Sequence, residues 1–282
     1  MNMPKYDEIG YWSEVKLDII RKYASAYSTI MNKHKQKGIQ SYLYIDAFSG
    51  AGVHIKKQTH EFIAGSPLNA LVISPAFPEF HFIDLDGDKV DKLRQIVGDR
   101  RDVFFHKGDC NKVLLVEVFP RCRYEDYRRA LCLLDPYGLN VNWDVLQKAG
   151  EMKSIEIFYN FMIMDANMNV FWRSPEKVQV SQVARMDAVW GNHSWHQVAY
   201  KKTPSLFGEM EEKTTNKAVI DAFRDRLKKV AGFEYVPEPM PMRNSKGSVI
   251  YYLFFASPNK TGANIVKNIF DNYRNKEVTS WQ

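Results

Sequence analysis

Four short apolar runs in this 282-residue chain each end on an aspartate-bearing turn, and a helical pattern follows each of them. Tyr42-Leu43-Tyr44-Ile45 runs into Asp46, Phe80-His81-Phe82-Ile83 into Asp84, Val103-Phe104-Phe105 into Gly108-Asp109, and Ala130 to Leu134 into Asp135. A fifth run, Ile155 to Phe161, carries Asn160 near its end. Helical spacing marks 12–35 ahead of the first run, where Trp12, Val15, Ile19, Tyr23, Ala26 and Ile30 form the apolar stripe. Glu14, Lys16, Asp18, Arg21 and Lys22 fall between them. Further helices are expected from Gly65-Ser66-Pro67, with Ser66 as N-cap, and over 88–97, 111–119 and 143–149. Strands alternating with helices imply βαβ units and a parallel sheet. Ligands of such sheets bind at the carboxyl rim, so Asp46, Asp84, Asp109, Asp135 and Asn160 are expected there together.

The rest of the chain reads differently. Residues 53–62 are polar and read as a loop. Residues 165–212 hold Trp172, Trp190 and Trp195 with several basic residues and no strand pattern, which predicts a helical insertion. A helix over 216–230 closes at Gly232, two strands (233–241 and 249–256) join through Asn244-Ser245-Lys246-Gly247 as an antiparallel hairpin, and a helix covers 261–273. No repeat divides the chain, so residues 1–282 are expected to form a single domain. The core is affordable: 45% of residues are hydrophobic and 26% charged.

Compartment and partners follow from the same counts. Cys110, Cys122 and Cys132 have no C-x-x-C spacing, which excludes a zinc or thioredoxin motif and fits a reducing cytoplasm. The opening MNMPKYDEIGYW lacks a signal-peptide core, and the longest apolar runs are strand-length, so no membrane association is expected. The net charge of +6 suits a polyanionic partner such as DNA or RNA. Arg121, Arg123, Arg128 and Arg129 cluster before the fourth run. The insertion offers Trp172, Arg173, Lys177, Arg185, His193, Trp195, His196, Lys201 and Lys202, cations beside flat rings that suit phosphate contact and base stacking. His193 and His196 have no third ligand in view, so no metal is expected.

The first turn, Asp46-Ala47-Phe48-Ser49-Gly50-Ala51-Gly52, lets a ligand approach the main chain closely. Ile55 stands where a dinucleotide fold needs its third glycine, which weighs against a nicotinamide cofactor. The turn resembles the first motif of class I methyltransferases that use S-adenosylmethionine (SAM), in its D-x-F-x-G-x-G version. The resemblance implies that Asp46, Phe48, Ser49, Gly50 and Gly52 wrap the methionine part of SAM. It places Asp84, with Asp86 as rival, at the ribose hydroxyls, and Asp109 with Cys110 at the adenine. A carboxylate accepts two hydroxyl hydrogen bonds at once, which suits that role. The helix and hairpin at 216–256 match the antiparallel ending of the same Rossmann-like fold, a mostly parallel seven-stranded sheet.

Asp135-Pro136-Tyr137-Gly138 resembles the [D/N/S]-P-P-[Y/F/W] motif of exocyclic-amine methyltransferases, and more closely the D-P-F-G form of tRNA guanosine N2-dimethylating enzymes. An exocyclic amine shares its lone pair with the ring and is a poor nucleophile. Hydrogen bonds to the Asp135 carboxylate and the Pro136 carbonyl would favour a pyramidal nitrogen, and Tyr137 could stack on the base. The second proline of the DNA pattern is absent here.

Over nearly its whole length the chain is similar to the bacterial three-Cys-motif partner (TcmP) family. The likeness rests on Trp12-x-x-x-Lys16-Leu17, the first glycine turn, Gly65-Ser66-Pro67-Leu68, Asp135-Pro136-Tyr137-Gly138-Leu139 and Tyr251-Tyr252-Leu253-Phe254-Phe255-Ala256. It implies a methyltransferase-like fold and a three-Cys-motif partner protein, and leaves the substrate open. Three readings follow: a SAM-dependent N-methyltransferase acting on a nucleic-acid base, a non-catalytic SAM-binding subunit, and a protein or small-molecule methyltransferase.

Overall fold

Side chains alternate across a strand, so each buried strand of this protein feeds two cores. Leu43, Ile45, Ala130, Cys132, Leu134, Ile157 and Tyr159 enter one. Tyr42, Tyr44, Leu131, Leu133 and Phe158 enter the other. The computed structural model describes residues 7–57, 59–205, 208–244 and 246–280, with the backbone alone for 205, 208 and 276–280.

The chain begins with β1 (Asp7–Ile9), α1 (Tyr11–Lys35), β2 (Ser41–Asp46), β3 (Val53–Lys56), β4 (Phe62–Ala64) and α2 (Ser66–Leu71). Then come β5 (Glu79–Asp84), α3 (Gly87–Val97), β6 (Val103–Lys107), α4 (Cys110–Val113), β7 (Arg128–Leu134), α5 (Trp143–Glu151) and β8 (Ile155–Phe161). The last part holds α6 (Ile163–Asn169), α7 (Val180–Trp190), α8 (Trp195–Ala199), β9 (Tyr200–Ser205), β10 (Gly208–Lys213), α9 (Asn216–Lys229), β11 (Met240–Arg243), β12 (Val249–Ala256) and α10 (Lys260–Ser280).

Seven strands form the central sheet in the order β11-β12-β8-β7-β2-β5-β6. Five run parallel, and β12 is antiparallel to both of its neighbours. Helix α1 packs against α2 and α10 on one face. Helices α5 and α9, with the insertion, cover the other. This is an α/β sandwich with a mostly parallel seven-stranded sheet, as the alternation of apolar runs and helices requires.

Four expectations are corrected. Residues 53–62 are not a loop: β3 and β4 pair antiparallel, and β1 joins β3 in parallel, making a small separate sheet. Ser66 does not cap α2; Gly65 holds that position and no side chain caps the helix. The insertion is helical only to Ala199, after which β9 and β10 form a hairpin. The expected strand over 233–241 shrinks to β11 plus a single bridge between Tyr235 and Ser257. Pro237, Pro239 and Pro241 lack the N–H groups a longer ladder needs. Ser245, in the expected hairpin turn, lies outside the described residues, as do Met1 to Tyr6 at the chain's start.

A buried ionic network closes the amino end of β5. Glu79 is buried and accepts from His81 Nε2 at 2.8 Å, from Arg121 Nε at 2.8 Å and from Arg128. Burial alone would raise its pKa, but these partners outweigh it and hold the carboxyl at about 2, against an ordinary 4.5. A depressed carboxyl stabilises the fold above its unfolded pKa and loses that contribution as pH falls toward the folded value. Glu79 is thus expected to contribute about 3 kcal/mol at neutral pH. Urea unfolding of the wild type and Glu79→Gln should differ by that order at pH 7 and converge between pH 5 and pH 2, as ~4.5 and ~2 bracket the titration. A difference that does not change with pH would disprove the assignment.

Candidate functional site

The carboxyl ends of β7, β2, β5 and β6 lie side by side, which brings the expected acids to one rim. Asp46 ends β2, Asp84 ends β5, Asp109 lies two residues beyond β6 and Asp135 immediately follows β7. A cavity of about 220 Å³ opens at this rim. Phe48, Gly50, Asp135, Pro136, Tyr137 and Asn160 line it, so the two sequence motifs share one space. That volume is below the ~300–1,000 Å³ usual for small-molecule pockets. The rim continues past it through Asp84 and Asp109, which do not line the cavity.

The glycine turn is built as its sequence demands. Gly50 and Gly52 have φ of +59° and +79°, a region costly for residues with a Cβ. A Cβ on Gly50 would meet nothing within 4 Å, so that face of the turn is open. Asp84 braces the turn, accepting from the Gly50 N–H at 2.8 Å and from the Asp86 N–H at 2.9 Å. A carboxylate has about four acceptor sites, so two remain for a ligand hydroxyl. Its rival Asp86 is engaged as the N-cap of α3, accepting from the N–H groups of Asp88 and Lys89. Asp109 caps α4 through Asn111 N–H at 3.0 Å. Burial pushes the Cys110 thiol up to about 12, so it packs as an apolar group and not as a thiolate.

Asp135 is held by partners from two other elements. Lys16 of α1 forms an ion pair with Asp135 Oδ2, and Asn160 of β8 donates to Oδ1. Lys16 is buried, although its place between the apolar positions of α1 suggested an exposed face. Burial opposes the ammonium, but the charge of Asp135 outweighs it and raises the Lys16 pKa. Asp46 lies beneath, fully buried, and its carboxyl is pushed up to about 7 by burial, with Asp135 adding a smaller repulsion.

The loop that follows Asp135 is gripped by the insertion. Asp165 of α6 accepts from the Leu139 N–H at 2.8 Å and pairs with Arg185 of α7 at 2.8 Å. A Cβ on Gly138 would lie 2.6 Å from Asp165 Oδ2, which explains glycine at that position.

Several lining residues were not visible as site residues in the sequence. Asp7, Glu8 and Ile9 of β1, His54 of β3 and Tyr251 of β12 all face the cavity. Asp7 accepts from the Tyr137 hydroxyl at 2.9 Å and from Lys89 at 2.8 Å. Tyr137 therefore has its hydroxyl engaged, while 67% of its surface stays exposed. Two signals were available: the Trp12-x-x-x-Lys16-Leu17 and Tyr251-Tyr252-Leu253-Phe254-Phe255-Ala256 likenesses, which marked Lys16 and Tyr251 without giving either a role.

The donor set fits SAM on an observation of its own. Among the described residues, Asp46 Oδ2, Ser49 Oγ, His54 Nδ1, Asn160 Oδ1 and Tyr251 Oη are buried without hydrogen-bond partners. Buried polar atoms are nearly always paired, so a cluster of orphans around one rim suits a polar ligand. No group of three His, Cys, Asp or Glu among the described residues could hold a metal ion. No helix of the described residues is long and apolar enough to cross a membrane.

No family model matches the chain, and no curated protein matches it. Solved structures do. Protein LPL1258 from Legionella pneumophila superposes with a TM-score of 0.56 at 9% identity, covering 94% of this chain and 91% of that one. A SAM-dependent methyltransferase from Clostridium acetobutylicum matches at 0.36 and 11%, covering 85% and 92%. One from Leishmania major matches at 0.39 and 8%, covering 85% and 72%. The LPL1258 likeness concerns the fold alone: an α/β sandwich on a mostly parallel seven-stranded sheet, with β12 inserted antiparallel beside β8.

Proposed function

We propose that this protein is a SAM-dependent N-methyltransferase that acts on an exocyclic amino group, in the first instance of a nucleic-acid base. The observation that carries the proposal is the cavity shared by the glycine turn and the Asp135-Pro136-Tyr137 loop. SAM, when bound, supplies an electrophilic methyl group on its sulfonium. The glycine turn and Asp84 would hold it along the rim, with Asp109 at the adenine.

The chain's own residues then have one main task, which is alignment. Asp135 and the Pro136 carbonyl accept the N–H groups of the amine and turn its lone pair toward the methyl. Lys16 and Asn160 each take one Asp135 oxygen, fixing the carboxylate plane and leaving its other lone pairs for the substrate. Tyr137 offers an exposed ring beside that position for stacking.

One observation favours a second reading. Both Asp135 oxygens already hold donors, as suits a SAM-binding subunit that needs its three-Cys-motif partner protein to open the site. A single experiment separates the two. The purified protein, with and without that partner, is given methyl-labelled SAM and total RNA, DNA or protein, and nuclease digestion follows. Label in a nucleoside N-methyl group without the partner supports the enzyme. Label only with the partner supports the subunit. Calorimetric titration that detects no SAM binding at about 1 mM, where the binding energy would be only ~4 kcal/mol, refutes both.

A further inference from the structure

We infer that a second cavity, at the amino ends of β7 and β8, is a binding site for a phosphate group. It measures about 230 Å³, and its lining includes Tyr27, His34, Arg129, Lys153, Glu156 and Asn259. Helix α1 runs from Lys16 at the rim to His34 here, 18 residues or about 27 Å, so the two cavities lie at opposite ends of the sheet.

Three observations point to an anion. The first is basic lining from three separate elements: His34 in the last turn of α1, Arg129 of β7, whose Nη1 donates to the Tyr124 and Arg128 carbonyls, and Lys153 from the turn before β8, whose Nζ donates to the Gly232 carbonyl; the guanidinium and the ammonium each keep further N–H groups for an anion. Lys153 holds φ of +56°, a conformation residues with a side chain rarely adopt. The second is the start of α10. Asn259 lines the cavity and its side chain caps the Thr261 N–H at 2.8 Å, so the first turn of a 21-residue helix, with its positive dipole end, lies beside this site. The third is Tyr27. Its ring is fixed by stacking on Phe77 at 5.9 Å, and its buried hydroxyl has no hydrogen-bond partner among the described residues.

Glu156 is the opposing charge, and it is already occupied. Its oxygens accept from the Tyr23 and Ser257 hydroxyls, and burial pushes its carboxyl up to about 7. The phosphate has two possible sources, a free ion or a nucleotide. Tyr124 is half exposed and stacks on Arg129 at 4.0 Å, which places a flat ring at the cavity's edge for a base.

The test is calorimetric titration of the full chain with inorganic phosphate, against chloride at equal ionic strength. The comparison is Arg129→Gln/Lys153→Asn, since asparagine tolerates the left-handed backbone. Saturable binding that weakens at least ~10-fold in the variant, with SAM binding within ~2-fold of wild type, supports the site. If the double variant does not fold, His34→Gln takes its place with the same criterion. Oligonucleotides with a 5′-phosphate or a 5′-hydroxyl distinguish the sources: a preference for the phosphate assigns a nucleotide, and equal binding assigns the free ion. Absence of saturable phosphate binding by the wild type at about 10 mM, or an unchanged constant in a folded variant, overturns the inference.

Discussion

Asp135→Asn is expected to lower methyl transfer by roughly 10³-fold while SAM affinity stays within about threefold. The substitution keeps the shape and removes the charge that orients the amine. It also has a structural consequence. Lys16 is buried, and asparagine cannot neutralise it. Breaking one side of a buried pair costs about 3–5 kcal/mol, because the remaining charge is left without compensation. Lys16→Met in the same chain removes that charge as well, so the double variant should recover most of the stability and none of the activity. Denaturant unfolding and a methyl-transfer assay on the three variants separate the roles. Should Asp135→Asn transfer methyl at the wild-type rate, the catalytic assignment is wrong. Should the double variant be no more stable than Asp135→Asn, the buried pair is not what links Asp135 to the fold.

Gly150→Ala is expected to be the most destabilising alanine substitution among the described glycines. Gly150 lies in α5, and a Cβ there would run into the Ala231 carbonyl, with the carbonyl carbon at 2.8 Å and the Phe233 ring at 3.2 Å. The obstacle is backbone, so no rotamer change relieves it; α5 and the chain leaving α9 must move apart. Overpacking of this kind costs up to ~3 kcal/mol and sometimes more, which for a domain of this size lowers the melting temperature by roughly 10 °C. Gly50→Ala is the matched control. Its Cβ meets nothing, so only the left-handed backbone is strained, at about 1 kcal/mol. Its expected effect falls on SAM affinity, because the turn's open face is where a ligand approaches. A melting temperature for Gly150→Ala within about 3 °C of wild type would mean that the two segments can separate freely.

The sheet was legible because its signal is local. Each parallel strand is a short apolar run, each is closed by a turn residue, and the helices between them keep a period of 3.6. The same reasoning missed the small sheet of β1, β3 and β4. Its strands are three or four residues long and at most partly buried: β1 and β3 mix charged or polar residues with apolar ones, and the apolar Phe62-Ile63-Ala64 of β4 is too short to stand out as a strand. It also made the insertion all-helical. Tyr200 to Lys213 is polar and mixed in charge, and its hairpin follows from cross-strand pairing, Lys201 opposite Glu212 and Lys202 opposite Glu211, which no window of sequence displays.

Of the candidate site, the sequence by itself determined the four strand-end aspartates, the glycine turn and the Asp135-Pro136-Tyr137 loop, because turn chemistry and strand order are written in neighbouring residues. Only the tertiary structure decided what each aspartate touches. Lys16 and Asp135 are 119 residues apart, and Asn160 reaches Asp135 from the next strand of the sheet. Asp84 braces Gly50, whereas Asp86 and Asp109 cap helices. A carboxylate's partner depends on which groups the packing brings within hydrogen-bond reach, and that distance is set by the layers of the sandwich, not by spacing along the chain.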